Sequence, residues 1–528
     1  MSVAPKSQED VKSVAKEQVQ VAKGAGLTGI GSLFEGILRY VSMVLVTRFY
    51  GQAAYGVFGF AMYLNEMGQR VSSAGLHDGV MRYVAMHEGR GERDQTRGAI
   101  RFAAKILIGL GICFAVALAA FAPEAAEMLD KDKAADVPKD MVVKVIRISC
   151  LALPTTALLL LLGRSLRALK QIGAQVIVRS FVLPLSRVLL ILLFLWSLGP
   201  ERLDGLAWAI VVSTAFACLL ALHYVHKNVR LYGKDAPAKI NKKEFLSFAV
   251  PLVGVDIATF FSLTADVFLL AKFGTQEDMG AYQAVLRLIP LLAIPLFLFS
   301  SMLTPLCAEL YAKGKMEELR ALYRTTVRWI FAIAIPLVIG LCLFIEPLLG
   351  TLGEGFQDGY QAFLLLAAVL ILNGFANPSG YAVTMAGRSK ITLFNACVMI
   401  VVVVGTGWYA IPQWGVFGAA IARAAGILVN CVLTLTQGWW ILGLNPWHKD
   451  LWKPSLAGLL AAGAGWTLQS NLNLTGFPLA IIAGLGIGAV YCVATWAFGL
   501  SEDDKQILYK GSKPIHGILM KVGLLHRR

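Results

Sequence analysis

Charged residues are scarce in this sequence. Asp, Glu, Lys and Arg make up 15% of the 528 residues, whereas hydrophobic residues make up 57%. Soluble globular domains carry about 25% charged residues. This composition therefore excludes a soluble multidomain protein and indicates a chain that crosses a membrane many times.

Motifs for catalysis and metal binding are also missing. The sequence contains no phosphate-binding P-loop, nucleophile elbow or metal-ligand spacing. We therefore expect no enzyme, no bound cofactor and no transport energised by bound ATP. The eight cysteines lie within or beside apolar segments without a C-x-x-C pair, which favours buried thiols over disulfides or a metal site.

The first 24 residues have no apolar stretch of the kind that a cleavable signal peptide needs. We expect a cytoplasmic tail over 1–24, either disordered or folded as a short helix at the membrane surface.

Long apolar runs dominate the remainder of the chain. A membrane-spanning helix needs about 20 apolar residues, and fourteen runs of about that length can be placed. They cover 27–47, 53–75, 99–121, 141–163, 174–197, 204–226, 245–271, 279–303, 325–349, 358–386, 390–411, 415–442, 454–471 and 476–499.

The loops between these runs alternate in charge. Basic residues concentrate in the tail, in every second loop and in 501–528, whereas the intervening loops, including 122–140, are poor in Lys and Arg. The positive-inside rule then places both termini in the cytoplasm. The same rule accounts for the formal net charge of +15, so nucleic acid is not an expected partner.

A weak internal repeat relates the two halves of the chain. A shift of about 224 residues aligns 48–64 with 272–288 and pairs Gln52 with Gln276 and Gly56 with Gly280. Repeats separated by an even number of spans lie in the same sense in the membrane, a pattern typical of transporters with a substrate site between halves. The predicted domains are a tail (1–24), a six-helix half (25–226), a linker (227–244), a second six-helix half (245–442), an extra helix pair (454–500) and a basic cytoplasmic tail (501–528).

Several stretches resemble a known family. They are "TRFYGQAAYGVFGFAMYL", the polar "GLHDGVMRYVA" and "MAGRSKITLFNACVMIVVVVGTGWYAIPQWGVFGAAIARA". Together they resemble the polysaccharide transporters, or Wzx-like oligosaccharide flippases, of the multidrug/oligosaccharidyl-lipid/polysaccharide (MOP) superfamily, over most of 20–440. The resemblance implies an all-α polytopic membrane protein of MATE and lipid II flippase type.

This resemblance also implies a function. The family flips undecaprenyl-diphosphate-linked glycans from the cytoplasmic to the outer leaflet for surface polysaccharide assembly. Its expected partners are the lipid-linked glycan, membrane lipids, a polysaccharide polymerase and glycosyltransferases. The extra helix pair would help to form a groove for the polyprenyl tail, although lipid-facing packing explains its apolar character equally well.

Charged and amide side chains inside the predicted spans are the candidate site residues. A charge near the bilayer centre costs about 2.5–3.5 kcal/mol on insertion scales, so its presence indicates a function. Guanidinium groups suit a diphosphate because they offer paired donors and stay charged. The predicted substrate-binding residues are Glu35, Arg39, Arg70, Arg187, Arg287, Arg423, Asn373 and Asn377. For Glu35 with Arg39, and for Glu66 with Arg70, a local ion pair is the alternative.

Two carboxylates in span seven, Asp256 and Asp266, suggest a further role. A buried carboxylate can bind H+ or Na+ and couple transport to an ion gradient. The alternative is that each of them pairs with an arginine.

Two other functions fit the same pattern less well. A cation-coupled multidrug exporter shares the fold, but an excess of arginine over carboxylate would repel cationic drugs. A glycan polymerase or ligase would place functional residues in a large external loop, and the longest one here, 122–140, is short and acidic.

Overall fold

The computed structural model describes residues 8–73, 75–129, 136–231, 240, 242–445, 452–472, 486–491 and 493–494. Within these residues every secondary-structure element is a helix. The helices are α1 (Gln8–Ser73), α2 (Leu76–Gly89), α3 (Arg93–Ala120), α4 (Ala122–Leu129), α5 (Lys139–Cys150), α6 (Leu153–Ala168), α7 (Ile172–Val176), α8 (Leu183–Leu198), α9 (Asp204–Val229), α10 (Lys242–Phe273), α11 (Gln276–Leu292), α12 (Ile294–Ala312), α13 (Met316–Gly350), α14 (Tyr360–Met385), α15 (Ser389–Leu442) and α16 (Trp452–Leu472).

Seven helical stretches in the described part of the chain are long and apolar enough to cross a membrane. With the relatives reported below, they make this a multi-pass membrane protein. The first thirteen predicted spans coincide with helices, whereas 476–499 falls largely outside the described residues. The count of fourteen spans, the repeat arrangement and the domain boundaries remain predictions.

Two glycines divide helices that would otherwise be too long for one span. The backbone of α1 leaves helical geometry at Gly51 (φ 85°, ψ 176°), and that of α15 does so at Gly415 (φ 50°, ψ −120°). Both have positive φ, which glycine adopts without steric cost. Gly51 falls in the short gap between predicted spans one and two, and Gly415 is the first residue of predicted span twelve.

A π-helical turn over Ile177–Val182 interrupts the segment between α7 and α8. Pro184 lies two residues after the end of this turn and has no N–H to donate to the carbonyl of Ser180, four residues earlier. A wider turn accommodates this missing hydrogen bond. The turn is relevant below because it carries Arg179 and Ser180.

The chain divides into two compact units. The first contains Met1–Arg287, Leu349–Ala362 and Ala396–Gly426, and the second contains Leu288–Leu348, Phe363–Asn395 and Ile427–Arg528. In the first unit, α2, α3, α6 and α9 enclose an apolar core that includes Val80, Leu107, Leu161 and Ala221.

The second unit has its own core, in which Tyr323 and Val327 of α13 pack against Val383 of α14 and Leu442 of α15. The Tyr323 hydroxyl donates a hydrogen bond to the Phe375 carbonyl at 3.0 Å. On α16, Ala457 and Ala461 pack against apolar side chains of α13.

Candidate functional site

The π-helical turn packs against α1 at the level of Glu35. Arg39 forms an ion pair with Glu35, one helical turn earlier, and Ser180 donates a hydrogen bond to the second Glu35 oxygen at 3.3 Å. Phe34 and Phe181 stack with ring centroids 4.5 Å apart. The predicted local pair is therefore present, but 48% of the Arg39 side chain stays exposed.

Further arginines of the first unit surround this pair. Arg39 lies within electrostatic range of Arg179 and Arg287, and Arg187 within range of Arg39, Arg287 and Glu35. We call Arg39, Arg179, Arg187 and Arg287 the arginine cluster. Helix α1, the π-helical turn, α8 and α11 each contribute one of these residues, and Glu35 is the carboxylate in their midst.

Arg187 and Arg287 are held by neutral groups. Arg187 Nε donates to Ser213 Oγ at 3.4 Å, and Arg287 Nη2 lies 3.6 Å from the Met62 sulfur. The hydroxyl of Tyr55 also lies within electrostatic range of Arg287. Neither arginine forms an ion pair with a carboxylate of the described residues.

Arg423 lies in a different environment, beside Asp266. Its Nε and Nη2 donate to the two Asp266 oxygens at 2.7 and 2.9 Å, and Nη2 also reaches the Leu263 carbonyl at 2.6 Å. Tyr282 donates its hydroxyl to the same carboxylate. Asp266 and Tyr282 are buried, and only 15% of the Arg423 side chain is exposed.

This arrangement joins α10, α11 and α15 within the first unit. A bidentate, buried pair neutralises both charges. It favours the ion-pair alternative for Asp266 over H+ or Na+ binding. The Nε and Nη2 donors of Arg423 are already engaged by Asp266 and the Leu263 carbonyl. Tyr282 is fully buried in this network.

Two further contacts in the first unit involve predicted residues. Glu66 and Arg70 form a local ion pair at 3.3 Å, and each side chain is nearly half exposed. Asp256 faces His77 of α2, with His77 Nε2 3.8 Å from an Asp256 oxygen. A histidine beside a mostly buried carboxylate is a suitable place for a proton.

Asn373 and Asn377 belong to the second unit. Both lie on α14 and are partly buried, and Asn373 accepts a long hydrogen bond from Cys431 at 3.8 Å. Their part in substrate binding remains a prediction.

The sequence alone assigned no role to Arg179 and Ser180. A signal for Arg179 was present, because Arg179 and Arg187 are eight residues apart in one apolar segment, close to two helical turns. Ser180 gave no signal, since serine is common in membrane helices and its partner Glu35 lies far away in sequence.

Two family models match this chain. The model described as polysaccharide biosynthesis protein matches residues 21–311, and the MatE model matches residues 251–408. The first match covers more than half of the chain and includes the whole arginine cluster.

Two relatives align with this chain, one over most of its length and the other over a shorter part. The uncharacterized membrane protein EpsK of Bacillus subtilis is 24% identical over 473 residues, covering 85% of this chain and 89% of EpsK. The "probable low-salt glycan biosynthesis flippase" Agl15 of Haloferax volcanii is 21% identical over 198 residues, covering 37% of this chain and 42% of Agl15.

Solved structures share the fold. The lipid II flippase MurJ in an inward closed conformation superimposes with a TM-score of 0.68 at 12% identity, covering 89% of this chain and 98% of MurJ. An inward-facing multidrug resistance MATE transporter of the MOP superfamily gives a TM-score of 0.66 at 15% identity, covering 78% of this chain and 94% of the transporter.

Proposed function

Since this chain belongs to the polysaccharide biosynthesis protein family, and is thus a flippase of the MOP superfamily rather than an enzyme, we propose that it flips polyprenyl-diphosphate-linked oligosaccharide. Transport would run from the cytoplasmic to the outer leaflet of the inner membrane, with both termini in the cytoplasm. The glycan would then serve surface polysaccharide assembly, alongside glycosyltransferases and a polymerase.

The observation that carries this proposal is the arginine cluster. Arg39, Arg187 and Arg287 lie within electrostatic range of one another, and Arg179 lies within range of Arg39, the ion-pair partner of Glu35. Like charges repel strongly where water is scarce, so such an arrangement is costly unless an anion occupies it. A diphosphate offers oxygens to several guanidiniums at once, and each can bind with paired hydrogen bonds.

The proposed transport cycle is alternating access between two six-helix halves, which twelve of the fourteen predicted spans would build. The headgroup would bind the arginine cluster, and amides such as Asn373 and Asn377 would meet sugar hydroxyls. Within the second unit, α16 would present an apolar face to the polyprenyl tail.

A multidrug exporter is the second candidate, because the MatE model matches 251–408. The positive charge of the arginine cluster opposes it, since a cationic drug would be repelled. Binding to the purified protein separates the two. We expect undecaprenyl diphosphate to bind in competition with inorganic diphosphate and ethidium to bind weakly, whereas tight ethidium binding unaffected by diphosphate would favour the exporter.

Glu35 should compete with the substrate for Arg39. In the Glu35→Gln variant, Arg39 loses its anionic partner, and the net charge of the arginine cluster with residue 35 becomes more positive by one. We expect undecaprenyl diphosphate to bind about tenfold more tightly, because a charge-assisted hydrogen bond is worth about 1.5–3 kcal/mol. Equilibrium binding measures the change, and Glu66→Gln is the matched control from the exposed pair. Unchanged affinity with a lowered melting temperature would assign Glu35 a purely structural role.

Coupling to an ion gradient is proposed to use Asp256 rather than Asp266. Asp256 faces a titratable partner, His77, whereas Asp266 is bound by Arg423. We expect Asp256→Asn to lower the dependence of transport on a proton gradient at least several-fold while binding persists. Proteoliposomes with imposed proton or sodium gradients provide the measurement. Normal dependence in Asp256→Asn would remove this residue from coupling.

A further inference from the structure

Two copies of one short motif lie in corresponding places of the internal repeat. The motif is Gln-x-x-x-Gly, at Gln52–Gly56 in α1 and at Gln276–Gly280 in α11. Both copies stand at the predicted external end of a span, and all four residues belong to the first unit.

The two glycines bring α1 and α11 into backbone contact. A Cβ atom on Gly56 would lie 2.8 Å from the Gly280 nitrogen and would also strike the Gln276 carbonyl oxygen. A Cβ atom on Gly280 would strike the Gln52 carbonyl oxygen. Each glycine therefore packs against the other copy of the motif, and no larger residue fits at either place.

The two glutamines form hydrogen bonds with different segments of the chain. Gln276 accepts a hydrogen bond from the Val137 N–H at 3.1 Å and donates one to the Val137 carbonyl at 3.1 Å. Gln52 donates to the Gly355 carbonyl at 3.3 Å and to the Glu277 carbonyl at 3.0 Å. Gln276 is 2% exposed, so its two bonds are shielded from water.

These partners also correspond in the repeat. Val137 closely precedes α5, the start of the predicted fourth span, and Gly355 closely precedes α14, the predicted tenth span. The glutamine of the first half thus bonds the external loop of the second half, and the glutamine of the second half bonds the external loop of the first. The exchange is reciprocal.

We infer that Gln52 and Gln276 are a pair of gating residues that hold the external end of the transport pathway shut, and that both must release for substrate to leave. This inference rests on the proposed function. Amide-to-backbone hydrogen bonds suit a gate because each is weak enough to break within a transport cycle. Arg48 and Tyr40 add bonds to Thr351 on the Gln52 side, at 2.6 and 2.8 Å.

A labelling experiment tests the gate with a readout that does not depend on substrate transport. Met279 is buried beside Gly56, so Met279→Cys reports whether α1 and α11 have separated. The reporter is placed in full-length protein whose eight native cysteines are replaced and whose amount in the membrane equals that of the unaltered chain. Spheroplasts are then treated with a membrane-impermeant maleimide.

We expect Gln52→Ala and Gln276→Ala each to raise the external labelling rate about 5- to 30-fold, since each removes two hydrogen bonds worth about a factor of five apiece. The double variant should multiply the two effects, because the glutamines hold different loops. Gln361→Ala, an exposed glutamine in the first unit on α14, should leave the rate unchanged.

Two results would overturn the gate. One is an unchanged labelling rate of Met279→Cys in both glutamine variants, while a control cysteine placed in an external loop is labelled normally. The other is an equal increase with Gln361→Ala, which would indicate general loosening. The labelling reaction does not require a glycan, so it tests the gate separately from the proposed function. If the glutamine variants change labelling as expected but the protein does not flip lipid, the proposed function fails and the gate stands.

Discussion

Arg287→Ala is expected to lower transport of lipid-linked oligosaccharide by about one to two orders of magnitude. The substitution removes a guanidinium that no carboxylate of the described residues neutralises. A hydrogen bond to a charged group is worth about 1.5–3 kcal/mol, and about 1.4 kcal/mol is a factor of ten in affinity. Export of surface glycan in a deletion strain, with protein amount in the membrane measured in parallel, gives the result.

Matched variants separate charge from geometry. Arg287→Lys keeps the charge but loses the paired donors, so we expect intermediate transport. Arg187→Ala should resemble Arg287→Ala, because both arginines are held only by neutral neighbours. Arg90→Ala, an exposed arginine at the end of α2, is the control and should transport normally. Full transport by Arg187→Ala and Arg287→Ala would contradict the assignment of the arginine cluster.

Asp266→Ala is expected to destabilise the protein by about 3 kcal/mol. Removing one partner of a buried ion pair leaves the other charge buried and uncompensated, and Arg423 would keep only neutral partners. Thermal unfolding in detergent measures the loss. The buried thiols of Cys150, Cys218 and Cys431 allow a thiol-reactive dye to report unfolding directly.

The double variant Asp266→Leu with Arg423→Met is the test of cause. Replacing both charges by apolar groups of similar size should recover most of the lost stability, since buried pairs are often no better than packed apolar residues. Glu66→Ala should change stability by less than about 1 kcal/mol, because that pair is exposed. Full stability of Asp266→Ala with lost ion dependence of transport would instead establish Asp266 as a coupling site.

The helical architecture follows from hydropathy and is largely predictable. Thirteen of the predicted spans coincide with helices because each apolar run must satisfy its backbone hydrogen bonds within itself. The break at Gly51 was predictable as a gap between apolar runs, whereas Gly415 was assigned to the first position of span twelve, and glycine alone does not reveal that the helix continues on either side. The π-helical turn before Pro184 was not predicted, since proline also occurs in regular first turns.

The candidate site was only partly predictable. Charges inside apolar spans singled out Arg39, Arg187 and Arg287, and the structure places these three within electrostatic range of one another, as expected of groups that avoid lipid and gather inside the protein. Periodicity cannot choose partners between distant helices, so it did not reveal that Arg423 binds Asp266, 157 residues away, while Arg287 binds none of the described carboxylates. The repeat paired Gln52 with Gln276 as equivalents, but only the structure shows their reciprocal contacts.

Flipping by the purified protein in proteoliposomes tests the central claim most directly. A fluorescent undecaprenyl-diphosphate oligosaccharide is placed in both leaflets, and a membrane-impermeant quencher reports its movement between them. We expect rapid exchange of this lipid between the leaflets with the wild-type chain, and exchange at least tenfold slower with Arg287→Ala. Equal exchange by the two proteins, or none by the wild type under an imposed proton or sodium gradient, would contradict it.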